Sequence, residues 1–136
     1  MRKEKTVRIP TVTYIVFSAF CLLIVSLMAF VNPQSAMDLV SAKLTNNDAY
    51  SSIRGIYGGV GLTIVISLLY LIRSHAKEAL LFLTLLWSLY AFSRLITILV
   101  EGPLGEFGNQ WIITETVLSC IAIVLLKYNI KLKSIS

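Results

Sequence analysis

Three ionisable residues interrupt otherwise apolar stretches of the chain: Arg54, Arg94 and Glu115. Inside a membrane helix a charge costs about 2.5–3.5 kcal/mol on insertion scales, so each of the three needs a partner or a watery recess. Arginine presents a planar fork of donors that matches a carboxylate or phosphate, and glutamate supplies the complementary acceptors. The chemistry these residues point to is ion pairing and anion recognition. Helical spacing gathers companions around them. Trp87, Tyr90, Arg94, Thr97 and Glu101 recur on one face, as do Trp111, Glu115 and Ser119, and Arg54 shares a face with Gly58 and Gly61.

The expectation is that Glu115 pairs with Arg94, or with both arginines, and that Asp48, Glu101 or a bound anion balances the surplus positive charge. Tyr57, Tyr90 and Trp111 would then be amphipathic walls, polar at one end and apolar along the ring. A purely structural reading stands beside this one, in which the ion pair fixes helix register and Arg54 snorkels to headgroups. Ser51, Gly55, Gly59, Thr63 and Ser67 follow one another in steps of four. Such a ridge of small residues lets a helix approach closely, either within the chain or in a homodimer.

Other chemistries lack their residues. The single histidine, His75, falls in a short basic loop, so a zinc site or a haem held by two histidines is not expected, and no metal or cofactor is assigned. No Ser/His/Asp set exists and no phosphate loop accompanies the glycines, so an enzyme is not the expected reading. Asp38, Asp48 and Glu106 read as solvated loop charges. Cys21 and Cys120 lie inside apolar runs without C-x-x-C spacing and read as small hydrophobes, with their pairing left open.

The elements that must position the trio are four apolar runs: residues 12–31, 53–72, 79–100 and 111–126. Each approaches the roughly 20 helical residues that cross a hydrocarbon core, the last being the shortest. The first is bracketed by Pro10 and Pro33, and it is too long for a signal-peptide core and lacks a clear cleavage site. Residues are 57% hydrophobic and only 14% charged, a balance that a soluble chain of this size cannot bury. The net charge of +5 sits at the ends of the runs, without the basic-aromatic pattern of a nucleic-acid surface.

Lysines and arginines also orient the runs. Arg2, Lys3, Lys5 and Arg8, then Arg73 and Lys77, then Lys127, Lys131 and Lys133 fall on one side, against Lys43 in the opposite loops. The positive-inside bias predicts cytoplasmic amino and carboxyl termini in a plasma-membrane protein. With that orientation Arg54, Arg94 and Glu115 all fall in the outer leaflet. Arg94 lies about 9 Å from its helix end and Glu115 about 6 Å at 1.5 Å per residue. In the first outer loop, Ala36, Met37, Leu39, Val40 and Leu44 recur at helical spacing and predict a short interfacial helix, with Asn46, Asn47 and Asp48 as caps for the second span.

The predicted fold is all-α: an integral membrane four-helix bundle, antiparallel and up-down, in one transmembrane domain over residues 1–136. Residues Ile53 to Gly59, Ser93-Arg94 followed by Glu101-Gly102, and Glu115 together resemble a bacterial group of small four-helix membrane proteins of unknown function. That group is itself similar to the larger DoxX-like set of bundles. The likeness covers most of the chain, with departures at Ser51, Ser52, Ser93 and Glu101, where the group favours asparagine, glycine and aspartate. It implies the bundle and no reaction, while the association of some DoxX-like proteins with quinone or thiol redox systems implies an accessory role. Three functions follow as expectations. The first is binding of a small amphipathic ligand, lipid headgroup or partner helix. The second is service as a redox accessory subunit that handles a quinone, and the third is part of an oligomeric small transporter or channel. The expected partners are the bilayer, a lipid or quinone, and a second copy or another membrane protein.

Overall fold

A computed structural model describes the backbone of residues 2–133 and the side chains of residues 7–129. The side chains of Arg2, Lys3, Lys5, Lys131 and Lys133, which carry much of the orientation argument, lie outside the described residues. The chain is 85% helical, and no strand occurs among the described residues. Its helices are α1 (Arg2–Val31), α2 (Pro33–Asp38), α3 (Asn47–Ile53), α4 (Gly61–Leu71), α5 (Ala76–Val100) and α6 (Glu106–Lys133), with a π-helical segment, Arg54–Val60, between α3 and α4.

Four stretches are long and apolar enough to cross a membrane: Val7–Val31, Asn47–Leu71, Ala76–Val100 and Glu106–Asn129. No more than 33% of any of these spans is buried within the chain, so most of their apolar side chains face outward, as lipid-facing residues do. The all-α, four-span membrane architecture expected from the apolar runs is the one the chain adopts.

Boundaries depart from the apolar runs for local reasons. Pro10 does not bracket the first span but lies inside α1. Pro33 does end it. Asn32, directly before the proline, is pushed to an extended conformation (φ −137°, ψ 93°), and Pro33 then opens α2. The second span starts at Asn47 rather than 53, because the Asn46 side chain accepts from the Ala49 N–H at 2.8 Å and caps polar residues into the helix. α5 stops where Gly102 takes φ +105° and its N–H, with that of Glu101, returns to the Thr97 carbonyl. The fourth span begins at Glu106, five residues before Trp111, with Phe107 in its first turn.

The chain divides into two compact units, one of residues up to Ile15 together with those from Leu71 onward, the other Val16–Tyr70. In the first unit α5 and α6 form an antiparallel hairpin. Ala79, Leu80, Leu83 and Trp87 of α5, Leu118 and Ala122 of α6, and Tyr14 and Ile15 of α1 are buried. Polar bonds run through this apolar setting. The Tyr14 hydroxyl donates to the Leu118 carbonyl at 2.9 Å, and Asn129 Nδ2 donates to Thr11 Oγ1 at 3.0 Å and to the Leu125 carbonyl.

In the second unit Ala29, Ala36 and Met37 form a buried cluster with Met28, Leu44 and Ile53 against it. This cluster seats the short helix α2 in the loop where an interfacial helix was expected. Close helix approach occurs at Gly58 and Gly61. A Cβ on Gly58 would stand 3.1 Å from Phe30 Cα, and one on Gly61 would collide with the Ser26 hydroxyl. The ridge through Gly55 and Gly59 is expected to admit a helix either within the chain or in a homodimer. Here a Cβ on either meets nothing within 4 Å.

Candidate functional site

On α5, Arg94 lies one and a half turns before the helix end, and on α6 Glu115 lies nine residues after Glu106, about 13 Å along the axis at 1.5 Å per residue. The hairpin turn folds the two helices back on each other and brings these side chains together. Arg94 Nε donates to Glu115 Oε2 at 2.6 Å and Nη2 donates to Oε1 at 2.8 Å, a parallel two-bond fork. The Glu115 side chain is 3% exposed and that of Arg94 21%. This is the one ion pair among the described residues.

The arrangement follows from electrostatics in a low-dielectric setting. A carboxylate buried alone would be strongly disfavoured, and the fork satisfies both its oxygens at once. The guanidinium carries five N–H donors and the fork engages two of them, on the buried side. Its carbon lies 6.0 Å from the centre of the Phe107 ring, which in turn packs 6.0 Å from Trp111 at 51°. Arg94 thus meets both a carboxylate and an aromatic ring, and about a fifth of its side chain remains exposed. One turn further along α6, Ser119 and Ser88 of α5 share a 2.6 Å hydroxyl bond. No buried side-chain nitrogen or oxygen among the described residues lacks a hydrogen-bond partner.

Other expected members are placed as follows. Tyr90 packs against Trp87 with ring centres 6.1 Å apart, and both make further interactions. Trp111 stands one turn before Glu115 beside Phe107. Glu101 is exposed at the end of α5 and makes no ion pair among the described residues. Asp48 lies in the first turn of α3. Arg54 and Tyr57 belong to the second unit, on the π segment. The Arg54 Nε donates to the Phe30 carbonyl at 2.9 Å, one residue before the end of α1, where helix carbonyls have no intrahelical partner. Arg54 therefore caps the carboxyl end of α1.

Phe107, Ser88, Tyr14, Thr11 and Asn129 were not singled out from the residues, yet each contacts the polar line of the first unit. Phe107, Trp111, Glu115 and Ser119 are spaced by four, so extending the fourth helix upstream of Trp111 reveals the first of them. Thr11, Tyr14 and Ser18, at spacings of three and four along α1, carry the same kind of signal. Cys21 and Cys120 are free thiols. Among the described residues no cluster of three or more histidines, cysteines, aspartates or glutamates is placed to hold a metal ion.

No curated protein and no solved structure matches the chain. A family model does match it, over residues 11–126, from α1 to the closing turns of the fourth span. The matched stretch contains Arg54, Arg94, Glu101 and Glu115, and on it the chain belongs to the family described as a domain of unknown function (DUF4345).

Proposed function

We propose that this multi-pass helical protein resides in the plasma membrane, with both termini cytoplasmic, and binds the polar head of an amphipathic molecule at Arg94. The observation that carries the reading is the fork between a 3% exposed Glu115 and Arg94, whose side chain beside Phe107 is still 21% exposed. A pair needed only to neutralise charge gains nothing from this residual exposure. A guanidinium oriented by a buried carboxylate is ready to donate to an anionic or strongly polar head, with the apolar remainder of the ligand lying along the outward helix faces. Glu115 acts as the orienting counter-ion, and Phe107 and Trp111 supply the ring surface.

Native mass spectrometry of the protein gently extracted from its own membrane tests the proposal. A lipid or quinone of defined mass should remain bound to the native chain and be lost in Arg94→Lys, which keeps the charge but not the fork. A folded native chain free of any retained amphiphile, or equal retention by the variant, overturns it. The Phe107–Trp111 ring pair favours one second reading, in which the ligand is a quinone and the protein an accessory to a redox system. Reduction of the retained molecule while bound separates that reading from lipid binding.

A further inference from the structure

The loop between α2 and α3 is built around a single side chain. Gln34 Nε2 donates to Asp38 Oδ1 at 2.6 Å and to the Ala42 carbonyl at 2.9 Å, while its Oε1 accepts from the Leu44 N–H at 2.9 Å. Ser41 turns the chain with φ +56°, and Leu44 is tied down against the Ala29, Ala36 and Met37 cluster. The result is an open recess of about 390 Å³ whose lining includes Gln34, Asp38, Ser41, Lys43, Leu44 and Tyr50. That volume falls at the small end of ligand sites, which run to about 300–1,000 Å³.

Its charges are the informative part. Asp38 and Lys43 line the same recess, yet they form no ion pair among the described residues. Gln34 holds Asp38 by one oxygen, which leaves the second oxygen as an acceptor, and Lys43 and Tyr50, residues that carry donors, belong to the same lining. Opposite charges kept apart around a recess complement a molecule that carries both signs itself. One aromatic ring is too few for the cage that a quaternary ammonium prefers, whereas an ammonium with N–H bonds suits a carboxylate. The place matches a lipid headgroup as well. The spans Val7–Val31 and Asn47–Leu71 both end at this loop, so it lies at the membrane surface whichever side it faces.

We propose that the Gln34 loop is a binding site for a zwitterion joining a primary ammonium to a phosphate, with Asp38 taking the ammonium and Lys43 and Tyr50 the phosphate. The site belongs to the second unit and does not depend on the Arg94 reading.

The test uses the full chain in bilayers of phosphatidylcholine containing equal minor fractions of phosphatidylethanolamine and phosphatidylglycerol. Lipids retained by the protein are counted by native mass spectrometry. Phosphatidylethanolamine should be enriched about two- to fivefold over its bilayer share, as fits contacts at an exposed site. The enrichment should vanish in Asp38→Asn and in Lys43→Gln, two exposed substitutions that keep the Gln34 bonds available, and should persist in Arg94→Lys. Soluble O-phosphoethanolamine that displaces the lipid identifies the head alone as sufficient. Failure to displace an Asp38-dependent lipid identifies the membrane-anchored form as the ligand. Absence of enrichment, its survival in Asp38→Asn, or its loss in Arg94→Lys overturns the proposal.

Discussion

Arg94 and Arg54 both sit well inside helices of membrane length, yet Arg94 donates to the Glu115 carboxylate while Arg54 donates to the carbonyl of Phe30. In the first case charge is cancelled by charge, and each partner is stranded if the other is removed. In the second a cation is matched to the negative end of a helix, an interaction between a charge and partial charges that stays weak and screenable. The first unit therefore depends on a pair and the second on geometry, above all the close approach at Gly58 and Gly61. Two residues of one type at similar sequence settings do opposite things, because what matters is the group each reaches.

The sharpest way to break this comparison is Glu115→Ala. It leaves the Arg94 guanidinium with its buried partner gone and is expected to destabilise the protein by about 3–5 kcal/mol, measured by reversible unfolding in mixed micelles. Replacing both residues by leucine should recover most of that loss. A wild-type midpoint for Glu115→Ala alone would show that the pair contributes nothing to folding.

Next comes Gly61→Ala, whose methyl group collides with Ser26 and should destabilise by about 1–3 kcal/mol. The companion Ser26→Gly should restore part of it, and Gly55→Ala, which meets open space, should show no such loss. Equal losses at Gly55 and Gly61 would undo the assignment of the packing face. Tyr14→Phe deletes one buried donor to a carbonyl that keeps its helix partner, so about 1 kcal/mol is expected in the same assay. Arg54→Gln should have the smallest effect, about 0.3–1 kcal/mol, diminishing as salt is raised. A loss at Arg54 that matches the one at Glu115 would erase the distinction between the two arginines.

Much of this organisation was readable before any coordinates. Apolar run length predicts the four spans because crossing hydrocarbon imposes a length, and the rarity of charge inside the runs isolates Arg54, Arg94 and Glu115 as residues in need of partners. Spacing placed each on a helix face, and a short turn between the last two helices makes their meeting expected. Arg54 was harder. A backbone carbonyl at a helix end has no letter of its own in the sequence, so the group that Arg54 reaches left no mark. Phe107 lies upstream of the fourth apolar run, in the polar first turn of α6, where hydrophobicity leaves no signal. Close approach within the chain falls at Gly58 and Gly61 rather than on the four-step ridge of Gly55 and Gly59, and nothing in the local letters announces the π segment.

That π segment has a consequence for how the chain tolerates changes in length. Removing one residue from a membrane α-helix rotates everything after it by a quarter turn or more, so that buried and lipid-facing sides exchange. Arg54–Val60 already carries surplus chain relative to an α-helix, stored where Gly55 and Gly59 have open space around them. Deleting Gly59 would let the segment tighten to α-helical pitch while Gly61, Val65 and Leu68 kept their facing. The second span is in this sense spliced with slack, and a single-codon deletion that would scramble α5 or α6 is one that it can absorb.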